Sequence, residues 1–230
     1  MNGCIKAVFT SLICFGSLTA GDVAQSLRAP SDVGPDPDPG SSFWKAAPVV
    51  IADRDPFGKA VPGHRTEIRS RWTDQNLYLL FICPYQQLYL KPNPDTKNET
   101  YGLWGWDVAE AFLGTDFQNI RHYREFEVSP RGEWVDLNIE LDKPHHEDGW
   151  KWNSSFQVAT RVDAAQHIWY AVMRIPWTAF DTPPRPGAEL RANFYRAQGP
   201  PPDRKEICWQ PTKRPSFHTP EAFGRLRLIE

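Results

Sequence analysis

Apolar and polar residues alternate with a period of two over much of this chain. The clearest run is 134–142, where Val135, Leu137, Ile139 and Leu141 alternate with Asp136, Asn138, Glu140 and Asp142. That is the pattern of a strand with one buried and one wet face. Further strands are predicted at 64–72, 77–83, 107–113, 122–128, 155–162, 168–175, 189–198, 206–209 and 224–229, separated by clusters of Pro, Gly, Asn and Asp. Segment 77–83 is apolar at nearly every position, as expected of a central strand covered on both sides. The segment before it alternates, and Thr73-Asp74-Gln75-Asn76 supplies turn formers, so 64–83 predicts a hairpin. Helical periodicity is confined to short turns near Trp44 and Trp177, and there is no internal repeat. About ten strands in one domain predict an all-β fold, a two-sheet β-sandwich.

The N-terminus departs from this pattern. Lys6 precedes an apolar run over 7–18, and Leu18-Thr19-Ala20 places a small residue at a cleavage position, so 1–20 is expected to be a signal peptide. The run is too short to span a bilayer, and the destination it predicts is secreted or periplasmic. Its removal takes Cys4 and Cys14 and leaves Cys83 and Cys208, which are either a disulfide or two separate buried thiols. Residues 21–41 include Gly34-Pro35-Asp36-Pro37-Asp38-Pro39-Gly40, which reads as a stiff linker, so the folded domain is expected over 42–230.

Charge narrows the partners. The formal net charge is −2, with Lys and Arg spread along the chain, which speaks against nucleic acid and anionic membrane. The ten Trp, thirteen Phe and seven Tyr exceed what a core requires, so some are expected to face a ligand.

Catalytic patterns are missing: there is no Gly-Xaa-Ser-Xaa-Gly elbow, no His-Glu-Xaa-Xaa-His and no phosphate-cradling Gly loop. Asp107 and Glu110, the nearest carboxylate pair in a structured run, are offset by three on a strand and point to opposite faces. Adjacent His145 and His146 read as solvated loop residues, and Asp36 and Asp38 as linker more simply than as calcium ligands. No cofactor is expected, and calcium bound by other loop carboxylates stays open.

Three segments carry a resemblance. They are Trp104-Gly105-Trp106-Asp107-Val108-Ala109-Glu110-Ala111-Phe112-Leu113, then Val172-Met173-Arg174-Ile175-Pro176-Trp177, then Phe217-His218-Thr219-Pro220-Glu221-Ala222-Phe223-Gly224-Arg225-Leu226-Arg227-Leu228. In this order, with the 77–83 strand, they resemble carbohydrate-binding module family 9 and its DOMON-like relatives over residues 43–230. The resemblance implies a β-sandwich that holds oligosaccharide or polysaccharide in a slot between two aromatic side chains and does not cleave it. Trp104 matches the first aromatic, and Glu110 matches a carboxylate that takes sugar hydroxyls. Phe217 stands where the family has a second Trp, and Glu127 where it has a sugar-binding Arg.

The residues agree with a slot, since sugar rings offer apolar C–H faces to aromatics and hydroxyl rims to polar groups. Glu110 shares a strand face with Val108 and Phe112, and Asn193 and Tyr195 share a face with Arg191. Arg196 reaches the same side only if the Gly199-Pro200 bend turns it. The expected ligand-binding set is therefore Trp104, Glu110, Phe217, Asn193, Tyr195 and Arg196, in a monomer that serves carbohydrate breakdown. Against this, Phe217 could plug the core and Glu110 could be a ladder-face residue, while Trp72, Trp134, Trp169 and Trp177 belong to the core. Other readings are a haem domain using Met173 with one of His64, His122, His167 or His218, and an accessory module of glycoside hydrolases that has lost its sugar.

Overall fold

The computed structural model describes residues 22–180 and 182–230, so the signal-peptide segment lies outside the described residues. Among the described residues twelve strands form one hydrogen-bonded sheet, ten of them in the continuous path β7-β6-β5-β10-β12-β1-β3-β4-β9-β8, with β11 beside β10 and β2 beside β3 off it. They are β1 (Val23–Arg28), β2 (Val49–Ala52), β3 (Thr66–Trp72), β4 (Asn76–Pro84), β5 (Val108–Gly114), β6 (His122–Val128), β7 (Trp134–Glu140), β8 (Gln157–Asp163), β9 (Ile168–Pro176), β10 (Glu189–Gln198), β11 (Lys205–Cys208) and β12 (Gly224–Ile229). The two halves of the path fold face to face as a β-sandwich, and alternate residues of each strand meet between them. Leu77, Leu79 and Phe81 of β4 and Trp169, Ala171 and Met173 of β9 share one core with Ala109, Ala111 and Leu113 of β5, Phe126 of β6 and Phe194 of β10.

The predicted hairpin is β3–β4, antiparallel with Trp72 opposite Leu77. Thr73 closes the turn: its amide donates to the Asn76 carbonyl oxygen (2.9 Å), and its hydroxyl accepts from the amides of Gln75 and Asn76. Trp72 and Trp169 are fully buried, Trp177 nearly so, and Trp134 packs on the same core. Cys83 and Cys208 are two separate buried thiols, the former in the core between layers and the latter on the far side of the sheet.

The linker expected over 21–41 is corrected. Residues 23–28 form β1, which runs parallel to both β12 and β3 and joins the two halves. The stretch after it is tied down as well, because Asp32 accepts hydrogen bonds from Thr73, Asn76 and Tyr78 at 2.7–2.8 Å. The Asp36 carbonyl oxygen accepts from the indole of the fully buried Trp44. The sequence VAQSLR reads weakly as a strand because its buried positions include a polar residue, Ser26, which finds cover only once distant strands flank it; the hydroxyl of Ser26 accepts from that of Ser70 at 2.8 Å. No helix among the described residues is long and apolar enough to cross a membrane.

A cavity over the outer sheet face

The half formed by β7, β6, β5 and β10 has a second apolar face, turned away from the partner layer. Val135, Leu137 and Ile139 lie on that outer face with Phe112, Tyr123 and Tyr195. The alternation in β7 was therefore read correctly as one buried face, but what buries it is a lid of loops. The side expected to be wet is also partly closed: Asp136 is fully buried and accepts two hydrogen bonds from Ser154, through its amide at 2.7 Å and through its hydroxyl.

Three loop segments make the lid. The first is a 3-10 turn, Leu103–Gly105, entered through Gly102 at φ 78°, a left-handed conformation that glycine adopts without penalty. Leu103 is buried beneath the turn, and Trp104 above it is half-exposed. Arg204 holds this turn from the other side, donating to the carbonyl oxygens of Trp104 (2.9 Å), Trp106 and Gly199. The second is the turn His146–Lys151, seated on β7 where Gly149 comes so close that a Cβ would collide with the Asn138 carbonyl oxygen. The third carries Phe217 and His218.

Between them lies a cavity of about 360 Å³, within the range of about 300–1,000 Å³ usual for small-molecule sites. Trp104 and Phe217 line it together with Glu110, Glu125, Arg204 and His218. Three of the six expected residues, Trp104, Glu110 and Phe217, thus come together. Tyr195 and Asn193 lie behind this surface, both buried. Tyr195 backs Phe217, while the Asn193 amide donates to the Tyr195 hydroxyl (2.7 Å) and to the Gln210 carbonyl oxygen (2.9 Å), so both support the wall.

Arg196 is a correction. Strict alternation wins over the bend: the side chain is fully buried on the inner side, its guanidinium 5.6 Å from the Trp169 ring and bonded to Thr66 and Gln198. Gln198 passes the contact on to Asp107 at 2.7 Å. Asp107 also accepts from the amides of Tyr89 and Gly199 and faces away from Glu110, as their offset predicts. Met173 lies in the core between layers, whereas His146 and His218 line the outer cavity, on the other side of the sheet.

The floor is acidic. Cross-strand register sets Glu110 of β5 opposite Glu127 of β6, and Glu125, two residues along, shares their face. Carboxylate oxygens of all three lie within 4.8 Å of one another, and each residue is buried. Burial, and after it the charge of Glu125, raises the Glu110 carboxyl well above the usual range; burial, then Glu110 and Glu125, does the same to Glu127. Burial pushes Glu125 up to about 7. His218 moves the other way, to about 4, through burial and then the neighbouring His146. Its Nδ1 pairs with the Tyr123 hydroxyl at 2.7 Å, and its Nε2 lies 4.0 Å from Glu125.

Glu125, Arg204, His146 and His218 were missed as cavity residues. In sequence, Tyr123-Arg124-Glu125-Phe126-Glu127 reads as a strand with one wet face, and only the register with β5 shows that this face is roofed.

Residues 40–230 match the model of the carbohydrate family 9 binding domain-like family. The chain belongs to this family. An extracellular protein of Arthroderma benhamiae is 25% identical over 190 residues, 75% of this chain and 84% of its own length. Among solved structures, a family 9 carbohydrate-binding module of Caldicellulosiruptor kristjanssonii in complex with cellotriose superposes with a TM-score of 0.63 at 15% identity, covering 90% of this chain and 93% of the module. A protein of Bacteroides uniformis gives a TM-score of 0.70 at 16% identity, over 90% of this chain and 98% of its own. At these identities the structural matches speak to the fold, and the family 9 sandwich is the fold of this chain.

Proposed function

We propose that this family 9 domain binds carbohydrate without cleaving it, in the cavity between Trp104 and Phe217, as an exported protein. The observation that carries the reading is the meeting of these two half-exposed rings over a floor containing Glu110. Rings on the walls suit the C–H faces of a sugar, and carboxylates on the floor suit its hydroxyls. A Caldicellulosiruptor kristjanssonii module of the same fold holds cellotriose or glucose. A binding role is favoured over hydrolysis because Glu110, Glu125 and Glu127 stand side by side on one sheet face, whereas a glycosidase sets two carboxylates on either side of the bond. The extracellular relative supports export.

The test is a glycan array followed by calorimetric titration and a hydrolysis assay with each retained glycan. The expected result is retention of at least one oligosaccharide, with a Kd that weakens in Trp104→Ala and no turnover. Failure to retain any glycan, or release of product, would overturn the reading.

A further inference from the structure

We infer that Glu110, Glu125 and Glu127 form a binding site for a hard divalent cation, calcium, at the base of the cavity. The inference goes beyond carbohydrate binding and stands independently of it. Glu110 and Glu125 line the cavity floor. Glu127 lies behind them, fully buried, and no N–H or hydroxyl group donates to either of its carboxylate oxygens, whose polar neighbour is the Glu125 carboxyl. One oxygen of Glu125 likewise accepts from no N–H or hydroxyl group. A carboxylate taken out of water with no N–H or hydroxyl donor is costly, and in folded proteins it takes up a proton, pairs with a cation or coordinates a metal.

Among the described residues no side-chain cation bonds these carboxylates. The charge of Arg204 favours ionised Glu110 and Glu127, but its guanidinium donates to the carbonyl oxygens of Trp104, Trp106 and Gly199. His218 approaches no closer than 4.0 Å, and only at Glu125. Arg196 lies on the opposite side of the sheet, bonded to Thr66 and Gln198. The remaining charged groups at the cavity, Glu147 and Glu206, add negative charge.

The geometry fits an ion. Three oxygens no more than 4.8 Å apart have a common point within about 2.8 Å of each, close to the 2.3–2.6 Å of calcium–oxygen bonds and well short of the contraction that magnesium demands. An all-carboxylate donor set also selects a hard cation over zinc or copper. Because two of the three ligands line the cavity, the remaining coordination positions face it, open to water or to hydroxyl oxygens of whatever fills it.

The mature protein, stripped with a chelator and desalted, would be titrated with calcium alone by calorimetry. Terbium would serve as a luminescent probe excited through nearby tryptophan. The expected result is one ion per chain, terbium emission quenched by competing calcium, and a rise in melting temperature on calcium addition. Glu127→Gln is expected to weaken calcium binding at least about tenfold, as removal of one charged ligand does. If that variant fails to fold, Glu110→Gln takes its place. Absence of ion binding to the wild type, or binding undiminished in a folded Glu127→Gln or Glu110→Gln variant, would overturn the inference. Ion binding without glycan binding would leave this site standing and remove the carbohydrate reading; glycan binding by a chain that takes no ion would do the reverse.

Discussion

Phe217 lies parallel on Tyr195, the ring centroids 4.2 Å apart and the planes 12° apart, and the Tyr195 hydroxyl donates to the Phe217 carbonyl oxygen at 3.1 Å. Phe217 therefore has one face against a buried ring and is held at a fixed angle to the cavity, an arrangement that presents an aromatic surface without letting it swing.

Phe217→Ala is expected to weaken glycan binding by about 1–3 kcal/mol, roughly ten- to a hundredfold. Phe217→Trp, which enlarges the same surface, should keep or improve it. Calorimetric titration checks both, and equal affinity in wild type and Phe217→Ala would remove this ring from the site.

Arg204 fixes the opposite wall through the carbonyl oxygens of Trp104 and Trp106. Arg204→Met keeps the aliphatic stem and loses those bonds, so the Trp104 turn should loosen. The expected cost in binding is about 1 kcal/mol, roughly fivefold, with a circular-dichroism spectrum like that of the wild type. An unchanged Kd would show that the turn holds itself.

Arg196 offers the contrasting case. Arg196→Met removes the buried donor to the Gln198 side-chain oxygen and to the Thr66 hydroxyl, so the melting temperature should fall. Affinity should stay within about twofold, because the change lies on the other side of the sheet from the cavity. A large loss of affinity in a folded Arg196→Met variant would return this residue to the binding site.

Glu99 and Asp136 should give the fold a pH dependence. Burial, followed by the charge of Asp136, pushes Glu99 up from its ordinary 4.5 to about 8. A proton shared by the pair stabilises the folded state fully below the ordinary value, and that contribution is lost as pH rises through about 8. Glu99→Gln keeps a donor at every pH. The variant should therefore gain in melting temperature relative to wild type between pH 6 and pH 9, and a constant difference would argue against proton sharing.

Ten of the twelve strands were legible because their alternation is local and their boundaries are marked by turn residues; β6, β10 and β12 fall at the expected positions. The two missed are those whose justification is distant. β1 makes sense only between β12 and β3, and β2, with VVIA, is four residues long. The site divides in the same way. Trp104 stood out as a ring in a Gly-flanked loop and Phe217 through the family resemblance, while Arg196, expected in the site, followed its strand parity instead. The grouping of Glu110 with Glu125 and Glu127 could not be read, because cross-strand register is a property of the pairing and not of either strand alone.

The parallel pairing of β1 with β12 sets Val23 beside Arg225 and Leu27 beside Ile229. Tension drawn through the chain on either side of the domain would pull these neighbours in opposite directions along their length. The ladder is then loaded in shear, all its bonds at once, and cannot open like a zipper one bond at a time. A domain held at one side and pulled at the other would meet that force first at this seam, so its mechanical lifetime should rest on β1 more than on the sheet that carries the cavity.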